Sequence, residues 1–346
     1  MKIAIVLFNL GGPDSPEAVQ PFLRNLFSDP AILRLPSPLR GPLASFIARR
    51  RTPKAQDIYA RIGGSSPILG QTEAQARALE DALGPDHEWR GYVCMRYWHP
   101  MTEAVVRSVK RFAPDRIVLL PLYPQFSTTT TDSSVKAWRD AAAKAKLAVP
   151  TQTVCCYPDE EGFISASTEL LTQGLREAGT LPTRVLFSAH GLPERIVKAG
   201  DPYQTQVERT ARAIADRIGG LDWSVCYQSR VGPLKWIGPS TDAEIARAGS
   251  DGKAVVLYPL SFVSEHSETL VELDIEYRHL AEKNGVSTYV RVPTVGTHPS
   301  FIAGLAGRVR AALAEPTGAV CHGAKSIPCS RIHLGCPLIA GAGKAA

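Results

Sequence analysis

The chain has no apolar run of the roughly 18 residues a membrane-spanning helix needs. Its apolar start, "MKIAIVLFNLGGPDS", has no A-x-A cleavage site and runs into Gly-Gly-Pro, so it reads as a first buried strand, not a signal peptide. There is no G-x-S-x-G, which leaves a hydrolase triad unsupported. "NLGGP" stops short of G-x-G-x-x-G, so a dinucleotide site has little support. The seven cysteines, Cys94, Cys155, Cys156, Cys226, Cys321, Cys329 and Cys336, are an odd count in a chain of 346 residues. That argues against a disulfide framework. A strong charge bias is also missing: 39 Lys and Arg against 33 Asp and Glu give +6. So small and scattered an excess does not indicate nucleic acid, and it suits an anionic small molecule or an acidic membrane surface. The expectation is a cytoplasmic protein, at most peripheral on the inner face of the membrane.

What is present is a chain long enough for two domains, 44% hydrophobic, with a sizeable core to bury. Residues 2–10, 116–123, 183–190 and 253–262 are continuous in Val, Ile and Leu, as parallel strands covered on both faces are. Residues 100–113, 201–218 and 300–315 read as helices. The alternation predicts an α/β fold with a parallel sheet.

A weak repeat runs through the chain. "IVLFNLGGP" (5–13) resembles "VLFSAHGLP" (185–193), and "YVCMRYWHP" (92–100) resembles "WSVCYQSRVGP" (223–233). "VLLPLYPQFSTTTTDSS" (118–134) resembles "VVLYPLSFVSEHSETL" (255–270). Three matches in one order predict two similar halves, with ligands beyond the carboxyl ends of the strands. Asn9, Ser127, His190, Glu265 and His266 fall at such ends. The Pro- and Leu-rich stretch 31–54, with six basic residues, reads either as a long loop with a surface helix or as an exposed apolar lip. A lip with basic flanks would suit anionic lipid.

The segment "SFVSEHSETLVELDIEY" (261–277) crowds acids behind an apolar strand. At about 100° per residue, Glu265, Glu268, Glu272 and Glu276 share an arc of roughly 80°. Leu270, Leu273, Tyr277 and Leu280 form the adjoining core stripe. Asp274 has Arg278 four residues on, an ordinary helix ion pair. Glu268, Glu272 and Glu276 have no such partner, which makes them either a solvated acidic face or, with His266, a path for a divalent cation and for protons. His190, at a strand end, is either structural or a proton acceptor or metal ligand. "YARIGGSSP" (59–67), "MRYWHP" (95–100) and "YQSRVGPLKWIGP" (227–239) join Arg, aromatics and Gly. Together they suit a large planar anion.

The segments "LGGP", "YARIGGSSPI", "MRYWHP", "FSAHGLP", "YQSRVGP…W.GP.TD" and "FVSEHSETLVELDIEY" together resemble the ferrochelatase family over about residues 2–315. The resemblance implies two Rossmann-like, doubly wound domains with a porphyrin cleft between them. The expected division is 1–160, carrying the lip loop 31–54, then 161–316, then a tail 317–346. It implies insertion of Fe²⁺ into protoporphyrin IX, the last step of haem biosynthesis, with loss of two protons. His190 and Glu268 match the family's catalytic pair. Glu272, Glu276 and His266 match its metal and proton row, together with that pair. Leu10, Tyr59, Arg61, Ser66, Arg96, Tyr97, Ser127 and Trp236 match porphyrin-contacting positions. Leu10 stands where some members carry Met, and Glu265 where others carry Asp. A homodimer and a peripheral membrane contact through the lip are compatible with the family. The competing expectations are a chelatase for coproporphyrin or another tetrapyrrole or metal, and a non-catalytic metal or haem carrier.

Cys321, Cys329 and Cys336 crowd the last 26 residues. Three thiolates need one more ligand for a four-coordinate site, and Cys155 or Cys156 could supply it. Some ferrochelatases carry a 2Fe–2S cluster on such a tail. That resemblance implies Cys321, Cys329 and Cys336 as ligands with Cys156, or its neighbour Cys155, as the internal one; the position of the internal ligand in animal members is Thr128 here, so that route is closed. Zinc, with His322 and His333 nearby, and unligated thiols are the alternatives.

Overall fold

The computed structural model describes residues 1–229, 234–315 and 318–320. The chain divides into two compact units. The first comprises residues 1–122, 127–155 and 309–320. The second takes 123–126 and 156–308. The sequence reading placed one boundary at 160; the chain instead crosses over near 155 and returns at 309 to the first unit.

The first unit runs β1 (Lys2–Asn9), α1 (Val19–Ser28), α2 (Ser37–Ala60), α3 (Ile68–Leu83), β2 (Glu88–Met95), α4 (Thr102–Phe112), β3 (Arg116–Pro121), α5 (Thr131–Lys144) and β4 (Thr151–Val154). The second runs α6 (Glu161–Glu177), β5 (Thr183–His190), α7 (Glu194–Lys198), α8 (Tyr203–Ile218), β6 (Asp222–Gln228), α9 (Thr241–Ser250) and β7 (Ala254–Pro259). A π-helix (Glu268–Glu276), α10 (Tyr277–Lys283), β8 (Tyr289–Arg291) and α11 (Pro299–Ala314) follow. The strand β9 (Gly318–Val320) joins the first unit's sheet.

Both sheets are parallel. Their orders are β2-β1-β3-β4-β9 and β6-β5-β7-β8. The first four strands of each follow the same plan, so the repeat seen in sequence is a repeat of architecture. The chain reverses its direction of travel at β1 and again at β5, which makes both units doubly wound; crossovers of the usual right hand then put helices on opposite faces. The equivalence reaches the loops. Leu122 donates its amide to Phe8 as Leu260 does to Ser188, and Met95 donates to Pro100 as Tyr227 does to Pro239. In this alignment Leu10 stands where the second unit has His190.

The continuous apolar runs are buried on both faces, as expected of central parallel strands: Ile3 to Phe8 and Ala254 to Tyr258 are almost wholly inaccessible. The stretch 31–54 departs from the expected lip loop. From Ser37 it is part of the 24-residue helix α2, which tolerates Pro38 in its first turn and carries Pro42 and Pro53 internally. Its Leu39, Leu43 and Phe46 point outward, with Leu39 62% and Phe46 64% exposed, so the exposed apolar face here is helical. Among the described residues, no helix is long and apolar enough to cross a membrane.

Candidate active site

Strand β5 ends on His190, beside the switch point where β6 and β7 flank it. Register places His190 opposite Gln228, the last residue of β6. His190 Nδ1 faces the Gly191 carbonyl at 2.7 Å. Only an N–H satisfies a carbonyl, so the neutral ring carries its proton there. Its Nε2 lies 3.8 Å from Glu268 Oε2, and the ring remains 40% exposed.

Glu268 opens the π-helix and stands between two imidazoles. Its other oxygen, Oε1, lies 3.9 Å from His266 Nε2. Gln228 Nε2 donates to Oε2 at 3.4 Å, and the Ser229 hydroxyl lies 3.2 Å from the same oxygen. Burial opposes its charge, but the imidazoles of His190 and His266 and these hydrogen bonds outweigh it and hold the carboxyl below its usual range. Burial pushes His266 down, favouring neutral imidazole. Glu272 goes the other way: burial, and next the charge of Glu268, raise its pKa. Ser229 donates to it through both N–H and Oγ, at 2.9 and 2.5 Å, and Tyr277 O–H donates at 3.2 Å. Two neighbouring carboxyls with opposed shifts are the arrangement that separates a charged partner from a proton store.

The π-helix corrects the expected geometry of the acid row. An α-helix leaves residues i and i+4 roughly 40° apart, and the wider i→i+5 turn brings them nearer to one line. Glu268 and Glu272 both reach Ser229 Oγ, and exposed Glu276 ends the row. Glu265 leaves it: it accepts from Arg291 at 2.6 Å and from the Thr294 amide at 2.9 Å. The core stripe shifts too, since Val271 is buried while Leu270 is only partly so. Asp274 makes the expected pair with Arg278 at 2.7 Å and also meets Arg291 at 3.3 Å. Among the described residues no group of three His, Cys, Asp or Glu is gathered as a metal-holding set.

In the first unit, Leu10, Tyr59 and Tyr97 pack in one apolar cluster with Phe22, Leu23 and Ala48. Gly11 and Gly12 permit it. Gly11 has φ +84°, and a Cβ on Gly12 would lie 2.5 Å from Ser66. Ser66 is thereby held against "LGGP", its amide donating to Pro13 at 2.8 Å. Arg61 is exposed at the end of α2. Ser127 is buried, its Oγ 2.9 Å from Thr129 Oγ1. Arg96 and Tyr97 both bind Asp29, Arg96 at 2.7 Å and Tyr97 at 2.8 Å. Trp236 belongs to the second unit, half-buried and bridged by its backbone to Pro193. Cys156 is buried, its Sγ accepting from Gln206 Nε2 at 3.5 Å. Cys321, Cys329 and Cys336 lie outside the described residues.

Sequence reasoning missed Ser229, Gln228, Arg291 and Asp29. The first two were within reach: they close "YQS" at a strand end, where ligands gather. Ser229 also has φ +58°, unusual for a residue with a side chain. Arg291 and Asp29 belong to no local pattern.

A family model described as Ferrochelatase matches residues 2–313. A ferrochelatase of Caulobacter vibrioides (strain NA1000 / CB15N) is 55% identical over 325 residues, covering 92% of each chain. One from Phenylobacterium zucineum (strain HLK1) is 52% identical over 341 residues, 97% of this chain and 98% of the relative. Among solved structures, SirB from Bacillus subtilis with Fe3+ aligns at TM-score 0.53 and 14% identity, covering 90% of this chain and 95% of that one. At that identity the likeness is one of fold.

Proposed function

The chain belongs to the ferrochelatase family, and from that premise we propose that it inserts Fe²⁺ into protoporphyrin IX at the His190–Glu268 site. The observation that carries the reading is the contrast between Glu268, lowered by the His190 and His266 imidazoles, and Glu272, raised by burial and by the Glu268 charge, on either side of the Ser229 hydroxyl.

Insertion replaces two pyrrole N–H bonds by bonds to the metal, so a base must take protons as the metal enters. His190 is suited to that. With Nδ1–H committed to Gly191, its Nε2 lone pair is the basic position. An imidazolium formed there is stabilised by the Glu268 carboxylate 3.8 Å away. Glu272, which takes a proton more readily than an ordinary carboxyl, is the next acceptor. The row Glu268, Glu272, Glu276 leads from the strand ends toward exposed Glu276, a path for protons outward or for the cation inward. Leu10, Tyr59, Arg61, Ser66, Arg96, Tyr97, Ser127 and Trp236 are assigned to porphyrin contact. Purified protein, Fe²⁺ and either protoporphyrin or coproporphyrin, followed anaerobically by absorbance, tests the reading. Faster conversion of protoporphyrin is expected; preference for coproporphyrin, or no turnover, would overturn it.

Two finer assignments accompany this one. The outward Leu39, Leu43 and Phe46, near exposed Arg49, Arg50 and Arg51, support peripheral contact with anionic lipid. A 2Fe–2S cluster on Cys156, Cys321, Cys329 and Cys336 is supported by an all-thiolate donor set, which suits such a cluster, and by the buried position of Cys156. No step of the reaction is assigned to it.

A further inference from the structure

The polar groups beneath the first unit's apolar cluster converge on a single oxygen. Asp29, whose side chain is only 3% exposed, follows the last turn of α1. Its Oδ2 accepts from Arg96 Nη2 at 2.7 Å, from Tyr97 O–H at 2.8 Å and from Ser133 Oγ at 2.5 Å. Its Oδ1 accepts from the Ala31 amide at 2.8 Å. Ser133 in turn accepts from Arg96 Nε at 2.8 Å. The guanidinium is therefore gripped along its Nε–Nη2 edge by two partners from different elements, α1's end and α5. It also lies 5.1 Å from the centre of the Tyr97 ring. Arg96 is 20% exposed, and its Nη1 is not engaged by these partners. A long, rotatable cation has been turned into a fixed one, whose Nη1 edge meets no partner among the described residues.

We propose that Asp29 is a positioning residue for substrate: it orients the Arg96 guanidinium so that the Nη1 edge is presented to a carboxylate of the porphyrin. This rests on the assignment of Arg96 to porphyrin contact. Three features support it. An arginine needed only for packing would not require both a buried carboxylate and a serine on one edge. A planar fork gains most from orientation, because paired N–H groups must meet carboxylate oxygens in one plane. Finally, Asp29 offsets the charge of Arg96, so the seat is close to neutral before a ligand arrives, and its attraction for anions is local and directional.

The test uses the full-length protein, Fe²⁺ under anaerobic conditions, and two porphyrins: mesoporphyrin and its dimethyl ester, which has no free carboxylate. Asp29→Asn keeps an acceptor for Tyr97 and Ser133 but releases the ion pair. Ser133→Ala removes the second grip without leaving a charge unpaired. Both should raise KM for mesoporphyrin, Asp29→Asn by about tenfold, the order of one misaligned charge-assisted hydrogen bond. Both should leave kcat within about twofold, as loss of uniform binding does. The dimethyl ester should show no matching rise, and Asp29→Glu should recover part of the loss. A role confined to structure would lower Tm and act alike on both porphyrins, and that result overturns the proposal. Arg96→Ala is measured in parallel. If it too leaves KM for mesoporphyrin unchanged, the assignment of Arg96 to porphyrin fails. If it raises KM while Asp29→Asn and Ser133→Ala do not, only the role of Asp29 falls.

Discussion

Glu268 and Glu272 meet at one hydroxyl group: Ser229 Oγ lies 3.2 Å from the first and 2.5 Å from the second. One hydroxyl has one proton, so two charged carboxylates cannot both be satisfied by it. The opposed shifts have other causes: the His190 and His266 imidazoles hold Glu268 down against burial, while burial and then the charge of Glu268 raise Glu272. Glu272 has a raised native pKa. Its contribution to stability is whole below the unfolded carboxyl value of about 4.3 and is lost as pH rises through the native value. Glu268 has a lowered one. Its contribution is present above about 4.3 and is lost as pH falls through the native value. Glu272→Gln should therefore raise Tm at pH 8 by about 1–3 °C and lose that advantage near pH 4. Thermal melts across that range decide it. An advantage that is the same at both pH values would assign the gain to something other than the charge.

The same substitution should slow iron insertion, because the proton acceptor behind Glu268 is gone. We expect kcat to fall by about tenfold or more. Glu276→Gln, at the exposed end of the row, should leave Tm unchanged and mainly raise KM for Fe²⁺. Steady-state kinetics with iron varied would separate the two; an effect of Glu276→Gln on Tm as large as that of Glu272→Gln would contradict its exposed placement.

His190→Ala should reduce insertion by at least about 100-fold while the protein stays folded. The ring is 40% exposed and the Gly191 carbonyl it leaves can turn to water, so the structural cost is small. Circular dichroism and anaerobic turnover on one preparation suffice, and near-normal turnover would remove His190 from the mechanism.

The central strands were legible because burial on both faces writes itself as unbroken Val, Ile and Leu, and the repeat was legible because both units preserve strand ends such as Leu10 and His190. The acid segment was only half legible. Its residue types were unmistakable, but a reading at 100° per residue assumes an α-helix, and nothing in "ETLVELDIE" announces a π-turn. That assumption put Glu265 on the arc of the acids and Leu270 in the core. Long-range partners were invisible for a simpler reason. Arg291 is 26 residues from Glu265 and Asp29 is 67 from Arg96, and no periodicity links such positions. The stretch 31–54 holds parts of both of its readings, a surface helix that turns Leu39, Leu43 and Phe46 outward, and its Leu, Ala and Arg content favours that helix despite Pro38, Pro42 and Pro53.

Glu265 accordingly becomes a stability residue. Both it and Arg291 are largely buried, at 14% and 11% exposed. Removing the carboxylate leaves a buried guanidinium that, among the described residues, has Asp274 at 3.3 Å to offset it. Glu265→Ala should cost about 3 kcal/mol in chemical denaturation. Glu265→Asp should cost less, since a carboxylate remains. Undiminished stability in Glu265→Ala would overturn this structural role.

The cysteine-bearing tail offers a prediction that does not depend on turnover. If Cys156, Cys321, Cys329 and Cys336 hold a 2Fe–2S cluster, protein from iron-replete cells is brown, absorbs in the visible and carries about two irons per chain. Any single Cys→Ser change at these positions should remove the colour, whereas Cys155→Ser should not, because Cys155 is the neighbour left unused. Cys156 is already placed to be inert when unligated: it is buried and accepts a hydrogen bond from Gln206. Ligation would exchange that weak contact for a thiolate–iron bond. Colourless protein with one zinc per chain would identify the alternative metal, and colourless, metal-free protein would leave the thiols as ordinary side chains.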